Sequence, residues 1–313
     1  MDPRCRGMIL GLAVGDALGM PVEFLSRGQI EERFGPDGIS GFVGGRGMFT
    51  DDTQLSMAVA EALIEAGERP LDDLMTVVVR LFVEWVNSPD NCRAPGIATT
   101  LAVRGLEAGK PWREAGSPRS KGCGSVMRTA PIAYYYEGRP GRLREAAEAI
   151  GRCTHAHPSA VAATLAVTEA AACALAAIPP AEWPARLRGA VGGLHADVDR
   201  VLEELPAAAA VVAPQEAFLR VAGAHGGSTA DEVFGVACLA VLRHPGDFRA
   251  ALRFAVNHSG DSDSIGCVAG ALHGALLGVE GIPEEWRAGI ERRTDLEDLA
   301  DRFEAARPAH GIG

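Results

Sequence analysis

The sequence lacks the features that mark several classes of protein. Its 313 residues carry 30 basic and 41 acidic side chains, which gives a net charge of −11 with histidine neutral. Duplex nucleic acid and anionic membranes require a basic binding surface, so we expect neither to be the main partner. We expect no membrane span, because no apolar run reaches the roughly 18 residues that suggest one.

Paired cysteines and a secretory leader are also missing. The seven cysteines are far apart and form no Cys-x-x-Cys pair, so neither a disulfide framework nor a thiolate zinc site is predicted. In the N-terminal segment Asp16 interrupts a short apolar stretch, and no clean cleavage site follows it. We therefore expect the mature protein to begin with these residues and to be cytoplasmic.

Helical periodicity is what the sequence does contain. Apolar residues recur at three- and four-residue spacing in segments 53–66, 71–86, 159–177 and 231–242, whereas strict alternation of the strand type is rare. Glycines recur every four residues within 7–19 and again within 266–278, which predicts two central helices in close contact. We predict an all-α fold in a single domain, 1–313, with short tails at about 1–6 and 307–313.

Two acidic motifs carry the chemistry. TDDT at 50–53 and SGDSDS at 259–264 each lead into a helical run. Their hydroxyl and carboxylate oxygens suit hard cations, although Asp and Ser before a helix commonly serve only as N-caps. If the motifs converge, four carboxylates repel one another unless cations lie between them. The spacing alone does not decide between a metal site and simple N-caps. It excludes a calcium-binding helix-loop-helix, because the required loop glycine and glutamate are missing.

Two further segments have a functional and a structural interpretation. In KGCGSVMR at 121–128, glycines beside small side chains expose backbone N–H groups that can bind phosphate, or they form an ordinary tight turn. In THAHP at 154–158, the two histidines can bind a metal, or one of them caps the following helix.

Five motifs together resemble the ADP-ribosylglycohydrolases. They occur in the order seen in that family: GLAVGDALGMPVEF at 11–24, FTDDTQ at 49–54, KGCGSVMRTAP at 121–131, THAHP at 154–158 and HSGDSDSIGCVAGALHG at 258–274. The combination of TDDT with GDSDS is specific to this family in a way that neither motif is alone.

The resemblance implies an all-helical domain around two divalent cations, Mg²⁺ or Mn²⁺. The implied metal ligands are Thr50, Asp51, Asp52, Asp261, Asp263 and Ser264, where relatives commonly have Thr at the position of Ser264. Glu23 matches a glutamate with a catalytic role. The implied contacts to ADP-ribose are Gly96, Gly122, Cys123, Gly124, Ser125, Met127 and His155, where many relatives have Asn at the position of Cys123.

The implied function is metal-dependent removal of ADP-ribose from a modified protein side chain, of the arginine or serine type, or from another acceptor. Cleavage at C1 of ribose builds positive charge on the sugar. The vicinal ribose hydroxyls offer oxygen ligands to hard cations, and a carboxylate can transfer a proton during hydrolysis. The alternatives are hydrolysis of a free conjugate such as O-acetyl-ADP-ribose, and a non-catalytic ADP-ribose-binding protein. We expect a monomer.

Overall fold

The computed structural model describes residues 2–308, which form seventeen α-helices joined by loops and short 3-10 turns. The helices are α1 (Pro3–Gly19), α2 (Arg27–Phe34), α3 (Asp51–Ala66), α4 (Leu71–Asn87), α5 (Ile97–Glu107), α6 (Trp112–Ala115), α7 (Ala130–Tyr135), α8 (Pro140–Arg152), α9 (Pro158–Leu175), α10 (Trp183–Val191), α11 (Ala196–Ala210), α12 (Pro214–Ala222), α13 (Ala230–Arg243), α14 (Phe248–Val256), α15 (Ser262–Leu277), α16 (Glu284–Gly289) and α17 (Arg293–Ala306). Strand-type pairing within 2–308 is limited to three isolated bridges. The predicted all-α fold is confirmed.

The four periodic segments correspond to α3, α4, α9 and α13, with bounds that agree to within two residues. The expected N-terminal tail is shorter than predicted, because α1 already begins at Pro3. The Asp2 carboxylate accepts the Arg4 N–H (2.9 Å), and a proline in the first turn needs no hydrogen-bond acceptor. At the other end α17 ends at Ala306, and residues 309–313 of the predicted tail lie outside the described residues.

Helices α1 and α15 cross the centre of the molecule as a close antiparallel pair. Gly7 lies opposite Gly274, and Gly19 lies opposite Ser262. A Cβ added to Gly11 would lie 2.2 Å from the carbonyl oxygen of Gly270, a distance that no side chain tolerates. The predicted contact between the two glycine rows is confirmed, and it brings the C-terminal end of α1 beside the N-terminal end of α15.

Two helical segments, Pro3–Val22 and Pro158–Leu175, are long and apolar enough to cross a membrane. The expectation that no apolar run reaches about 18 residues was therefore wrong. Both segments are apolar on average, although charged residues such as Asp16 and Glu169 interrupt them. In the apolar 18-residue window of each segment, 83% and 78% of the residues, respectively, are buried inside the protein, as is usual for core helices.

Candidate active site

A cleft of about 550 Å³ opens where the end of α1, the starts of α3 and α15, and the 120–128 loop meet. Most of the predicted site residues line it. They are Glu23, Asp51, Asp52, Gly96, Gly122, Cys123, Gly124, Met127, His155, Asp261, Asp263 and Ser264.

The two acidic motifs are helix caps that also converge. The Thr50 hydroxyl accepts the Asp52 N–H (3.3 Å), and Asp261 Oδ1 accepts the Ser264 N–H (3.3 Å) at the start of α15. Asp51, Asp52 and Asp263 lie in the first turns of α3 and α15, where the helix dipole stabilises negative charge. The N-cap interpretation is therefore confirmed, and the two motifs also line the same cleft.

Glu23 joins this cluster from the end of α1. Carboxylate oxygens of Glu23, Asp261 and Asp263 lie within 4.8 Å of one another. The Phe24 N–H donates to the Gly260 carbonyl oxygen (2.8 Å), and both residues have positive φ, +55° and +101°. This hydrogen bond joins the loop after α1 to the loop before α15, and so it positions Glu23 beside the GDSDS motif.

The clustered carboxyl groups have raised pKa values. Burial, followed by repulsion from Asp261 and Asp16, raises the pKa of Glu23 to about 7. Burial and Asp16 raise the pKa of Asp51 to about 8. Burial and neighbouring carboxylates also hold the pKa values of Asp52 and Asp263 well above the ordinary value. Binding of protons or cations to such a cluster is favourable, because it relieves the repulsion among the carboxylates.

The residues present fit a hard divalent cation. Asp52 is only 3% exposed, and its Oδ2 atom has no hydrogen-bond partner among the described residues. A buried carboxylate oxygen without a partner is costly unless something binds it. The neighbouring donors are carboxylate oxygens, the ligands that Mg²⁺ and Mn²⁺ prefer.

The 121–128 segment forms a 3-10 turn, Cys123–Arg128, which lines the cleft next to the starts of α3 and α15. The buried Arg128 guanidinium holds it in place by donating to the carbonyl oxygens of Gly124 and Ile150 (2.9 Å for Ile150) and to Thr154 Oγ1 (2.6 Å). The fixed turn presents backbone to the cleft. A Cβ on Gly124 would lie 2.6 Å from Thr99 Oγ1, so the close approach of Thr99 requires glycine at this position.

The two histidines of THAHP have different roles. The buried His155 ring lies against Gly122 and Gly124 in the cleft, and its Nδ1 atom is 2.9 Å from Thr154 Oγ1. Burial and the Arg128 charge lower the pKa of His155 to about 3, so the ring is neutral. His157 instead accepts the Ser159 N–H (3.1 Å) as the N-cap of α9, in agreement with the capping interpretation.

A family model described as ADP-ribosylglycohydrolase matches residues 1–312. The chain belongs to the ADP-ribosylglycohydrolase family. It is 28% identical to ADP-ribosylarginine hydrolase Tri1 of Pseudomonas putida (strain GB-1), over 96% of this chain and 77% of that protein. It is also 28% identical to ADP-ribosyl-[dinitrogen reductase] glycohydrolase of Rhodospirillum rubrum, over 94% of this chain and 92% of that protein.

A solved structure described as an ADP-ribosylglycohydrolase-related protein complex is similar over 97% of this chain and 98% of its own, with a TM-score of 0.76 and 30% identity. The family resemblance carried by the five sequence motifs is confirmed. As a member of the ADP-ribosylglycohydrolases, the protein is a hydrolase of ADP-ribose linkages.

Thr50 and Ser125 are the two predicted site residues that do not line the cleft of this ADP-ribosylglycohydrolase. The Thr50 hydroxyl donates to Asp16 Oδ1 (3.0 Å) behind the carboxylate cluster. Ser125 is fully buried in the 3-10 turn, and its hydroxyl has no partner among the described residues. Both residues stand directly behind lining residues.

Asp16 is the residue that sequence reasoning missed. It is fully buried in α1, and its carboxylate accepts hydrogen bonds from the backbone N–H and the hydroxyl of both Thr50 and Thr53 (2.6–3.0 Å). These bonds fix the first turn of α3 against α1. The available signal is a carboxylate inside an apolar, glycine-rich helical segment, where its only local effect is to interrupt the hydrophobic run.

Proposed function

We propose that this ADP-ribosylglycohydrolase is a metal-dependent ADP-ribosyl hydrolase that uses two divalent cations, Mg²⁺ or Mn²⁺. The observation that carries the proposal is the convergence of the two acidic motifs around Asp52 Oδ2, which is buried and has no partner. When bound, the cations supply positive charge that neutralises the cluster, holds the ribose hydroxyls and activates water. The proposed ligand residues are Thr50, Asp51, Asp52, Asp261, Asp263 and Ser264.

Glu23 is the proposed catalytic residue. Its carboxylate lies at the open side of the cluster, within 4.8 Å of ligand atoms of Asp261 and Asp263. In the metal-free protein its pKa is raised to about 7, and a carboxylate at this position can accept and release a proton. We assign it the transfer of the proton between water and the leaving group.

The 122–127 segment beside the carboxylates is the proposed binding site for the diphosphate of ADP-ribose. Gly122 and the 3-10 turn that follows it, with Gly124, Ser125 and Met127, offer backbone N–H groups to the diphosphate, so binding needs no lysine cluster. His155 lines the same cleft as a neutral ring that can donate or accept one hydrogen bond. Gly96, at the N-terminus of α5, completes the lining beside Asp51.

The proposed substrate is an ADP-ribosylated protein, and the linkage we favour is to arginine. Support for this linkage comes from a relative, matched over 96% of this chain and 77% of its own length, that is named an ADP-ribosylarginine hydrolase. The serine linkage and free O-acetyl-ADP-ribose are the competing substrates. Our further predictions of one domain over 1–313, a monomer and a cytoplasmic location remain predictions.

The test is a panel of arginine-linked, serine-linked and O-acetyl ADP-ribose substrates, each assayed with Mg²⁺, Mn²⁺ or EDTA. We expect release of ADP-ribose from the arginine-linked substrate, with loss of activity in EDTA. The Asp263→Ala variant should lose the metal-dependent activity and keep the helical circular dichroism spectrum. Full activity in EDTA would exclude the proposed metal dependence, and preference for another substrate would exclude the arginine linkage.

A further inference from the structure

The Cys123 thiol lies at the carboxylate cluster. Although Cys123 belongs to the turn proposed for the diphosphate, its Sγ atom is 2.8 Å from Asp261 Oδ2, and the residue is half-buried in the cleft wall. A second sulfur lies close by, since Met127 Sδ is 3.9 Å from the Ser264 hydroxyl. One turn of the chain therefore places two soft sulfur atoms beside two of the proposed oxygen ligands.

An independent observation concerns Asp52 in the same cluster. Asp52 is more than nine-tenths buried, it lines the same cleft, and its Oδ2 atom has no hydrogen-bond partner within residues 2–308. Such an oxygen favours a bound proton or cation, and this holds independently of the thiol. Because the thiol lies beside Asp261, it can affect which cation the site prefers.

We propose that Cys123 is an additional ligand residue that shifts the selectivity of the site from Mg²⁺ towards softer divalent cations such as Co²⁺, Zn²⁺ and Cd²⁺. The proposal rests on the metal site of the proposed function. Oxygen-only sites favour Mg²⁺ and Mn²⁺, whereas a thiolate ligand favours softer cations. On binding, the Cys123 S–H bond breaks, its proton passes to solvent and a sulfur–metal bond forms, while Asp261 keeps the cation beside the cluster.

The selectivity has a functional consequence. A soft cation bound to Cys123 and Asp261 occupies space in the cleft between the turn and the carboxylates, where the substrate ribose and diphosphate must meet. Zn²⁺ and Cd²⁺ should therefore compete with Mg²⁺ and inhibit the enzyme. The same thiol gives Co²⁺ a spectroscopic signature, because cobalt–thiolate bonds absorb in the near ultraviolet and cobalt–carboxylate bonds do not.

The experiment is a titration of the full-length metal-free protein with Co²⁺, followed by near-ultraviolet absorption, and with Cd²⁺ and Mg²⁺, followed by calorimetry. Wild-type protein should develop a cobalt–thiolate band, and Cys123→Ser should not. Cys123→Ser should also weaken Cd²⁺ binding by at least about tenfold and change Mg²⁺ binding by less than about threefold. Cys123→Asn is the second variant and should behave in the same way.

Cys92→Ser is the matched control, since Cys92 is an exposed thiol outside the cleft, and its loss should leave the band unchanged. Absence of the band in wild-type protein, or its persistence in Cys123→Ser, would overturn the inference even if Mg²⁺ binds normally. Failure of all three cations to bind wild-type protein would overturn the metal site itself, so the two failures are distinguishable.

Discussion

At the scale of single residues, the site depends on carboxyl groups whose negative charge is unfavourable in the metal-free protein. Glu23 follows the 3-10 turn after α1, and the Phe24–Gly260 hydrogen bond fixes it beside Asp261 and Asp263. In the metal-free protein its pKa of about 7 reflects burial and the neighbouring carboxylates, and its position beside Asp261 and Asp263 suits it to move a proton.

We expect Glu23→Gln to lower turnover by about 100-fold or more, because the amide keeps the shape but cannot accept the proton. The affinity for ADP-ribose should stay within a few-fold of wild type, since the proposed diphosphate contacts are backbone groups of residues 122–127 and not the Glu23 carboxylate. Steady-state kinetics and calorimetry with ADP-ribose measure the two effects. Turnover close to that of wild type would exclude Glu23 from proton transfer.

Asp16 acts on the site through Thr50 and Thr53. Because its carboxylate accepts four hydrogen bonds from the first turn of α3, Asp16→Asn should leave at least one of these donors facing an amide N–H. We expect a loss of about 1–3 kcal/mol in the free energy of unfolding and about 10–100-fold weaker Mg²⁺ binding. Urea unfolding and calorimetry measure these effects. Asp37→Asn, at an exposed position, is the control and should change neither quantity.

At the scale of helices, the two glycine rows position the site. Because α1 and α15 pack backbone to backbone, the loops at their ends meet, and Glu23 and Asp261 meet with them. The sequence predicted this contact and the four periodic helices, since both are local patterns with one physical interpretation. It did not predict the role of Asp16, because a hydrogen bond to a turn 34 residues away leaves no mark on local periodicity.

Gly11→Ala tests this packing. The new methyl group would lie 2.2 Å from the Gly270 carbonyl oxygen, so the helices must separate, and we expect a loss of about 3 kcal/mol or more in the free energy of unfolding. Gly28→Ala in α2 is the matched control, because its methyl group meets nothing within 4 Å and should be neutral or stabilise by up to about 1 kcal/mol. Equal urea midpoints for the two variants would contradict the packing argument.

At the scale of the whole molecule, the cluster links metal binding, pH and stability. A carboxyl group whose pKa is raised in the folded protein holds a proton that the unfolded chain releases, so stability falls as pH rises through the raised pKa. For the metal-free protein the relevant values are about 7 for Glu23 and about 8 for Asp51. Between pH 6.5 and 8.5 the buried carboxylates therefore lose protons and repel one another, and the metal-free protein should become less stable.

A divalent cation should reverse this trend, because it replaces the lost protons and binds only the folded site. We expect Mg²⁺ to raise the melting temperature over that in EDTA by more at pH 8.5 than at pH 6.5. Asp52→Asn removes one of the repelling charges. It should melt higher than wild type in EDTA at pH 8.5 and respond less to Mg²⁺. A Mg²⁺ effect that is equal at both pH values, or larger at pH 6.5, would show that cations bind elsewhere than at these carboxylates.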